Sequence, residues 1–198
     1  HKNKYLVVDT KPANIFTYKS VPAVCILDCD SFRYGKDYSS LYITDEYIAP
    51  ETDPEDPKSV KESQDVFALS VLVFQLLNNG IHPFQGINKT NNDFHIQELI
   101  NQRSYPYGKK TDETLDPSPV STHHFFPKDL FDFFDVVFRE GKKRKASTLV
   151  KILDKYKYDQ NLSLCSIHGH QTFKNGCSSC FIGGLTSSKT SKKQINPS

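Results

Sequence analysis

The run from Val66 to Leu77 limits what this chain can fold into more than any other stretch. Nearly every position in it is apolar, and no charged residue falls between Val66 and Gly80. A surface helix shows a polar stripe at the 3.6-residue period, and none is present here. The run extends for about 14 residues before Asn78-Asn79-Gly80, a length that fits a helix better than a strand. Gly80 supplies a left-handed cap, and Pro83 forbids continuation. A bilayer span needs roughly 20 apolar residues, so the run is too short for one. The expectation is a helix buried on all sides in a mainly α domain. Asp65 then carries an acid into the core at the first turn, where it needs backbone N–H donors.

Composition narrows the class. The chain has 198 residues, 37% hydrophobic and 12% aromatic, enough for one domain with appendages. A net charge of +2 demands neither nucleic acid nor a membrane as partner. No signal peptide or spanning segment is evident, and a cytoplasmic location is expected. Five cysteines, an odd number, include the pair Cys177-x-x-Cys180. They favour a metal site in a reducing compartment over a disulfide framework. The lack of Met and the start at His1 in mid-pattern point to a fragment.

Several polar motifs lie around the apolar run. Tyr5-Leu6-Val7-Val8 leads into Asp9-Thr10-Lys11-Pro12-Ala13-Asn14, where Pro12 forces a loop. Val24 to Leu27 reads as a short strand ending in Asp28-Cys29-Asp30-Ser31-Phe32. Tyr47-Ile48-Ala49-Pro50-Glu51 precedes the buried run, Gly80-Ile81-His82-Pro83-Phe84 closes it, and Arg144-Lys145-Ala146-Ser147 comes late. Pro127-Lys128-Asp129-Leu130 opens a further helix that Glu140-Gly141 ends, and Leu149, Ile152 and Leu153 form a last amphipathic one. Residues 104–127 read as a long loop, with His123-His124 solvated in it.

In this order the motifs resemble those of the protein kinase family, from the catalytic loop onward. The resemblance implies that Asp9 accepts the proton of a substrate hydroxyl and that Lys11 neutralises charge on the transferring phosphoryl group. It makes Asn14 and Asp28 ligands of the magnesium that accompanies ATP; Asp30, before Ser31-Phe32, is the other candidate for the second ligand. It implies that Asp65 holds the backbone of the catalytic loop and that Glu51 pairs with Arg144. Val7-Val8 replaces the family's His-Arg, so little dependence on loop phosphorylation is expected, although Ser39, Ser40 and Thr44 offer hydroxyls. The wording is similar to a divergent prokaryotic branch of serine/threonine-type kinases, whose members often carry a Cys/His module after the kinase fold.

The tail fits that pattern. Cys165-x4-His170-x6-Cys177-x2-Cys180 has the ligand types and count for tetrahedral zinc in a closed structural site. His168 is the alternative to His170. The expected map is a kinase-like C-terminal lobe over residues 1–157, a zinc knuckle over 158–184 and a flexible end from 185 to 198. No Gly-rich phosphate loop, strand Lys or paired helix Glu of an N-lobe occurs in the sequence. Two functions follow. One is protein Ser/Thr phosphorylation from ATP once an N-lobe is supplied, in cis or in trans. The other is a catalytically inactive kinase-like scaffold whose zinc module recruits partners.

Overall fold

The structure, a computed structural model, describes residues 1, 3–35, 42–157 and 159–191, with the backbone alone for 159 and 186–191. Helix α1, Glu62–Leu77, forms its centre and buries Val66, Phe67, Val71, Leu72 and Phe74. Asn79 and Gly80 follow at φ 56° and 76°, and the Gly80 N–H donates to Gln75 O at 2.8 Å. That left-handed turn is the expected stop. Burial on all sides fails at the last turn, where Leu76 is 74% exposed. Leu76 faces an open groove lined also by Phe125, Phe126, Leu153 and Tyr156, so the core does not close over this end.

Around α1 stand α2 (Ile96–Asn101), α3 (Lys128–Phe134) and α4 (Ala146–Asp154). A π-helical segment, Asp135–Arg139, continues α3. Phe74 is the hub of the core. Its ring centroid lies 5.2 Å from that of Phe134 and 5.9 Å from that of Phe138, both edge-on, the arrangement that ring quadrupoles favour. Four antiparallel strand pairs complete the described residues: β1 (Tyr5–Leu6) with β4 (Arg33–Tyr34), β2 (Ile15–Thr17) with β3 (Val24–Ile26), β5 (Ile87–Asn88) with β6 (Leu115–Asp116), and β7 (Leu162–Leu164) with β8 (Gln171–Phe173). Helix α5, Ser178–Ser191, runs through the first part of the stretch expected to be flexible. No helix of the described residues is long and apolar enough to cross a membrane.

Two local expectations are corrected. Residues 104–127 are not one loose loop. β6 lies within them, and Tyr105 and Tyr107 are fully buried. A two-residue strand is too short to show alternation, which is why the stretch reads as irregular. His123-His124 is not simply solvated either. It sits in a 3-10 turn, His123–Phe125, with the His123 ring against Tyr107 and the His124 ring against Phe181.

The expected Glu51–Arg144 pair also does not form. Glu51 Oε2 lies 3.0 Å from Arg103 Nη2, while Arg144 is exposed. Arg103 donates Nη1 to Val137 O and Phe138 O, near the end of the π-helical segment, where a cation is favoured. Gly141, at φ 64°, lets the chain pass over the guanidinium; a Cβ there would collide with it. Arg103 therefore joins Glu51 to α3's continuation, a role that spacing along the sequence does not reveal.

His82 ties the core to the segment before Ala49. Its Nδ1 accepts from the Phe84 N–H at 3.2 Å, so Nε2 carries the proton and donates to Glu46 O at 3.0 Å. Burial pushes its pKa down from the ordinary 6.5 to about 4. As pH falls through that window the unfolded chain binds the proton first. The stability due to neutral His82 is therefore present above the ordinary value and lost as pH falls towards the folded one, an effect of about 3 kcal/mol. Urea midpoints of wild type and His82→Gln from pH 7 to pH 4 test this prediction. The variant should lose less stability across the window by about that amount. Parallel pH curves would remove His82 from the acid response.

Candidate functional site

The first cluster of reactive side chains forms where the chain leaves β1. Val8 there has φ 69°. A left-handed backbone costs a β-branched residue on the order of 1–3 kcal/mol and persists only when its surroundings hold it. Asp65, from the first turn of α1, does the holding. Its Oδ2 accepts from the Val7 N–H at 2.9 Å and its Oδ1 from the Val8 N–H at 2.8 Å. The acid that enters the core thus finds two backbone donors, and His1 Nε2 lies 2.9 Å from Oδ2. Burial raises the Asp65 pKa, and the two N–H donors offset this only in part.

The strained turn delivers Asp9 into a nest of donors. Asp9 Oδ2 lies 2.7 Å from Lys11 Nζ and accepts from Asn14 Nδ2 at 3.1 Å. Asp9 Oδ1 accepts from the Thr44 N–H at 3.0 Å. Lys11 Nζ also donates to Thr44 Oγ1 at 2.8 Å. Burial raises the Asp9 pKa, but the Lys11 ammonium and the Thr44 hydrogen bonds outweigh it, and the carboxyl sits below its usual value. Asp9 is therefore ionised at neutral pH, the state in which it can take a proton. Thr44 is the residue the sequence reading misses, since there it counts only as an available hydroxyl. Its place just before Tyr47-Ile48-Ala49-Pro50-Glu51 is the signal that could have found it. Ser39 and Ser40 lie outside the described residues.

Asn14 is buried at the end of a 3-10 turn, Pro12–Asn14, that Pro12 starts. Its amide nitrogen donates to Asp9 O at 3.0 Å as well as to the carboxylate. That fixes the amide plane and leaves Oδ1 without a hydrogen-bond partner among the described residues. Across the β2–β3 pair, Ile15 faces Ile26, and the Leu27 N–H donates to Asn14 O at 2.8 Å. Asp28 follows directly, at φ 54°, a conformation that Asp tolerates. Asp28 is exposed, and Asp30 is exposed one turn on, within Cys29–Ser31. Ser31 Oγ donates to Val7 O at 3.1 Å, which joins the two acid-bearing segments. The chain thus brings Asp9, Lys11 and Asn14 into direct contact and sets Asp28 on the adjoining turn.

The second cluster lies between the β7–β8 hairpin and α5. One ligand atom from each of Cys165, His168, Cys177 and Cys180 falls within 4.8 Å of all the others. Cys165 Sγ lies 3.5 Å from Cys180 Sγ and 3.5 Å from His168 Nδ1; His168 Nδ1 lies 3.4 Å from Cys180 Sγ and 4.0 Å from Cys177 Sγ. A zinc tetrahedron with bonds of about 2.3 Å has edges of about 3.8 Å, so the donor set fits that ion. His170 stands just outside the four, with Nε2 3.4 Å from Cys177 Sγ. The Cys165 thiol is pulled down to about 6 by the His168 N–H and imidazole, whereas its hydrogen bond with Cys165 pushes Cys180 up to about 12. One thiolate thus opposes a second unless a dication is shared between them.

The protein kinase domain family matches residues 1–173. Among solved structures, the kinase PK-1 of Cydia pomonella granulovirus is similar, with 20% identity and a TM-score of 0.46 over 70% of this chain. The chain spans 45% of that kinase's length. Among curated proteins, none matches.

Proposed function

We propose, since the chain belongs to the protein kinase family, that it carries the catalytic-loop and metal-binding half of a site that transfers phosphate from ATP to protein Ser/Thr hydroxyls. One observation carries this reading: Lys11, Asn14 and Thr44 converge on the Asp9 carboxylate, with Asp28 on the next turn. Asp9 takes the proton of the acceptor hydroxyl as that oxygen bonds the γ-phosphorus and the bond to the bridging oxygen of ADP breaks. Lys11, held by Asp9 and Thr44, places a cation where charge builds on the transferring group. Asn14 Oδ1, without a hydrogen-bond partner among the described residues, and the carboxylate of the exposed Asp28 are hard oxygen donors that suit magnesium, with Asp30 as the other candidate. Held by these residues, the ion would supply positive charge to neutralise the ATP phosphates. The Ser/Thr acceptor follows from the family resemblance of Asp9 to Asn14.

An N-lobe in cis or trans completes this reading. Phe16, Val24, Ile26 and Leu27, on the β2–β3 pair beside Asn14 and Asp28, are 52, 64, 40 and 46% exposed. Val24 and Ile26 share one face of the pair and Phe16 lies on the other. A strand pair exposing apolar side chains on both faces marks a surface that another element covers, and we assign that element as the ATP-clamping lobe. The unit from 1 to 157 is then a C-terminal lobe. Its wording at Val7-Val8-Asp9, at Asp28 to Phe32 and at Asp65 to Leu69 supports the divergent prokaryotic branch. The tail is a structural zinc site of Cys165, Cys177, Cys180 and one histidine. The distances favour His168 over the His170 expected from spacing. Three thiolate ligands need a reducing compartment, and we assign the cytoplasm.

The experiment joins the chain to an N-lobe and measures transfer of labelled phosphate from ATP to a Ser/Thr-containing protein. Asp28→Ala should lower the rate by about 100-fold and Asp30→Ala by less than about tenfold. The reverse order would move the metal ligand to Asp30. A wild-type chain that transfers nothing would leave the scaffold reading in place.

A further inference from the structure

We propose that the Cys/His module is a metal-dependent brace on the C-terminal end of α1 rather than an independently hinged appendage. The inference rests on the metal reading of Cys165, His168, Cys177 and Cys180. Taken alone the module is a hairpin of two three-residue strands and a helix with little core, so metal would supply most of its order.

The residues that touch the rest of the protein are the sequence neighbours of the ligands. Asn175, two before Cys177, donates its side-chain amide to Phe126 O at 3.2 Å and to Phe125 O at 3.4 Å. Gly176, immediately before Cys177, has φ 146°, and a Cβ there would collide with the Phe125 ring. Phe181, immediately after Cys180, packs edge-on against Phe125 at 5.8 Å and against the His124 ring at 4.8 Å. Phe173 packs edge-on against Tyr156 at 5.5 Å. A metal that fixes Cys177 and Cys180 therefore fixes the atoms that grip 124–126.

The gripped segment is in turn fastened to the cap of the central helix. Asn78, the buried C-cap of α1, accepts through Oδ1 from the Thr122 N–H at 2.7 Å and from Ser121 Oγ at 2.7 Å. Thr122 Oγ1 donates to Leu77 O at 2.9 Å, one of the carbonyls that the helix end leaves unpaired. The chain of contacts thus runs from Cys177 and Cys180 through Asn175, Gly176 and Phe181 to 121–126, and from there to Asn78. At the other end of the same helix Asp65 holds the Val7–Val8 backbone. The brace secures the end of α1 over which the core does not close.

Hydrogen exchange on the full chain tests this, with zinc ion present and after its removal by a chelator, and with bound zinc counted by metal analysis. Zinc removal should speed exchange at 162–181 and also, by at least about tenfold, at 121–126. In an Asn175→Ala/Phe181→Ala variant, zinc should stay bound at one equivalent while 121–126 exchanges as in the stripped protein. Loosening of 162–181 with 121–126 unchanged would overturn the brace while the zinc site stands. Wild type without bound zinc would overturn the metal reading, and the brace with it.

Discussion

Asp65→Ala is expected to cost the fold about 3–5 kcal/mol, because it leaves the Val7 and Val8 N–H groups without acceptors, each worth about 1–3 kcal/mol when buried. The second part of the loss is conformational. Val8 at φ 69° is held left-handed by the carboxylate, whose two oxygens grip the Val7 and Val8 N–H groups on the two peptides leading into it, together with the Asp9 N–H that donates to Val7 O across it at 2.9 Å. Once released, the turn can relax to an extended backbone and carry Asp9 away from Asn14 and Thr44. Partial compensation comes from the removal of a carboxyl that burial already disfavours as an anion. For a chain of this size the net loss corresponds to a fall in Tm of roughly 10 °C. Asp65→Asn keeps one acceptor oxygen and should lose about half as much. A shift below about 1 kcal/mol in Asp65→Ala would mean that the turn is held by something else.

The second large effect is on rate. With an N-lobe joined, Asp9→Ala should lower single-turnover phosphoryl transfer by about 10²–10⁴, the usual contribution of a positioned general base. Asp9→Asn should fall nearly as far. The amide oxygen can accept either from Lys11 and Asn14 or from Thr44 but not from both sides, and the amide cannot take the hydroxyl proton. ATP binding should change little in either variant, because Asn14 Oδ1 and Asp28 remain. Rates within tenfold of wild type would remove Asp9 from the chemistry while the fold stands.

Much of the framework was legible because its signals are local. The apolar run to Leu77, with Asn79 and Gly80 behind it, marks a helix and its stop wherever the chain folds. Asp65, directly before that run, had to find donors, and the structure supplies two backbone N–H groups. Thr44 and Arg103 were not legible as a clamp on Asp9 and a partner of Glu51, since both contacts join segments 35 and 52 residues apart. Beside the three thiols, spacing pointed to His170, with His168 as the alternative. The turn from Cys165 to Gly169, closed by the Gly169 N–H to Cys165 O at 2.8 Å, brings His168 Nδ1 inward.

By itself the sequence determined the central helix and its stop, and which residue types with acid, amide, amine and thiol chemistry occur in which order. Periodicity, capping and Pro placement act within a few residues, so these features are already present in the unfolded chain's preferences. Only the tertiary structure decided who meets whom: Arg103 rather than Arg144 on Glu51, Thr44 on Asp9, Phe181 on Phe125. Those choices depend on how packed elements bring distant residues within the few ångströms at which hydrogen bonds and ring contacts form, and one-dimensional spacing carries no such distance.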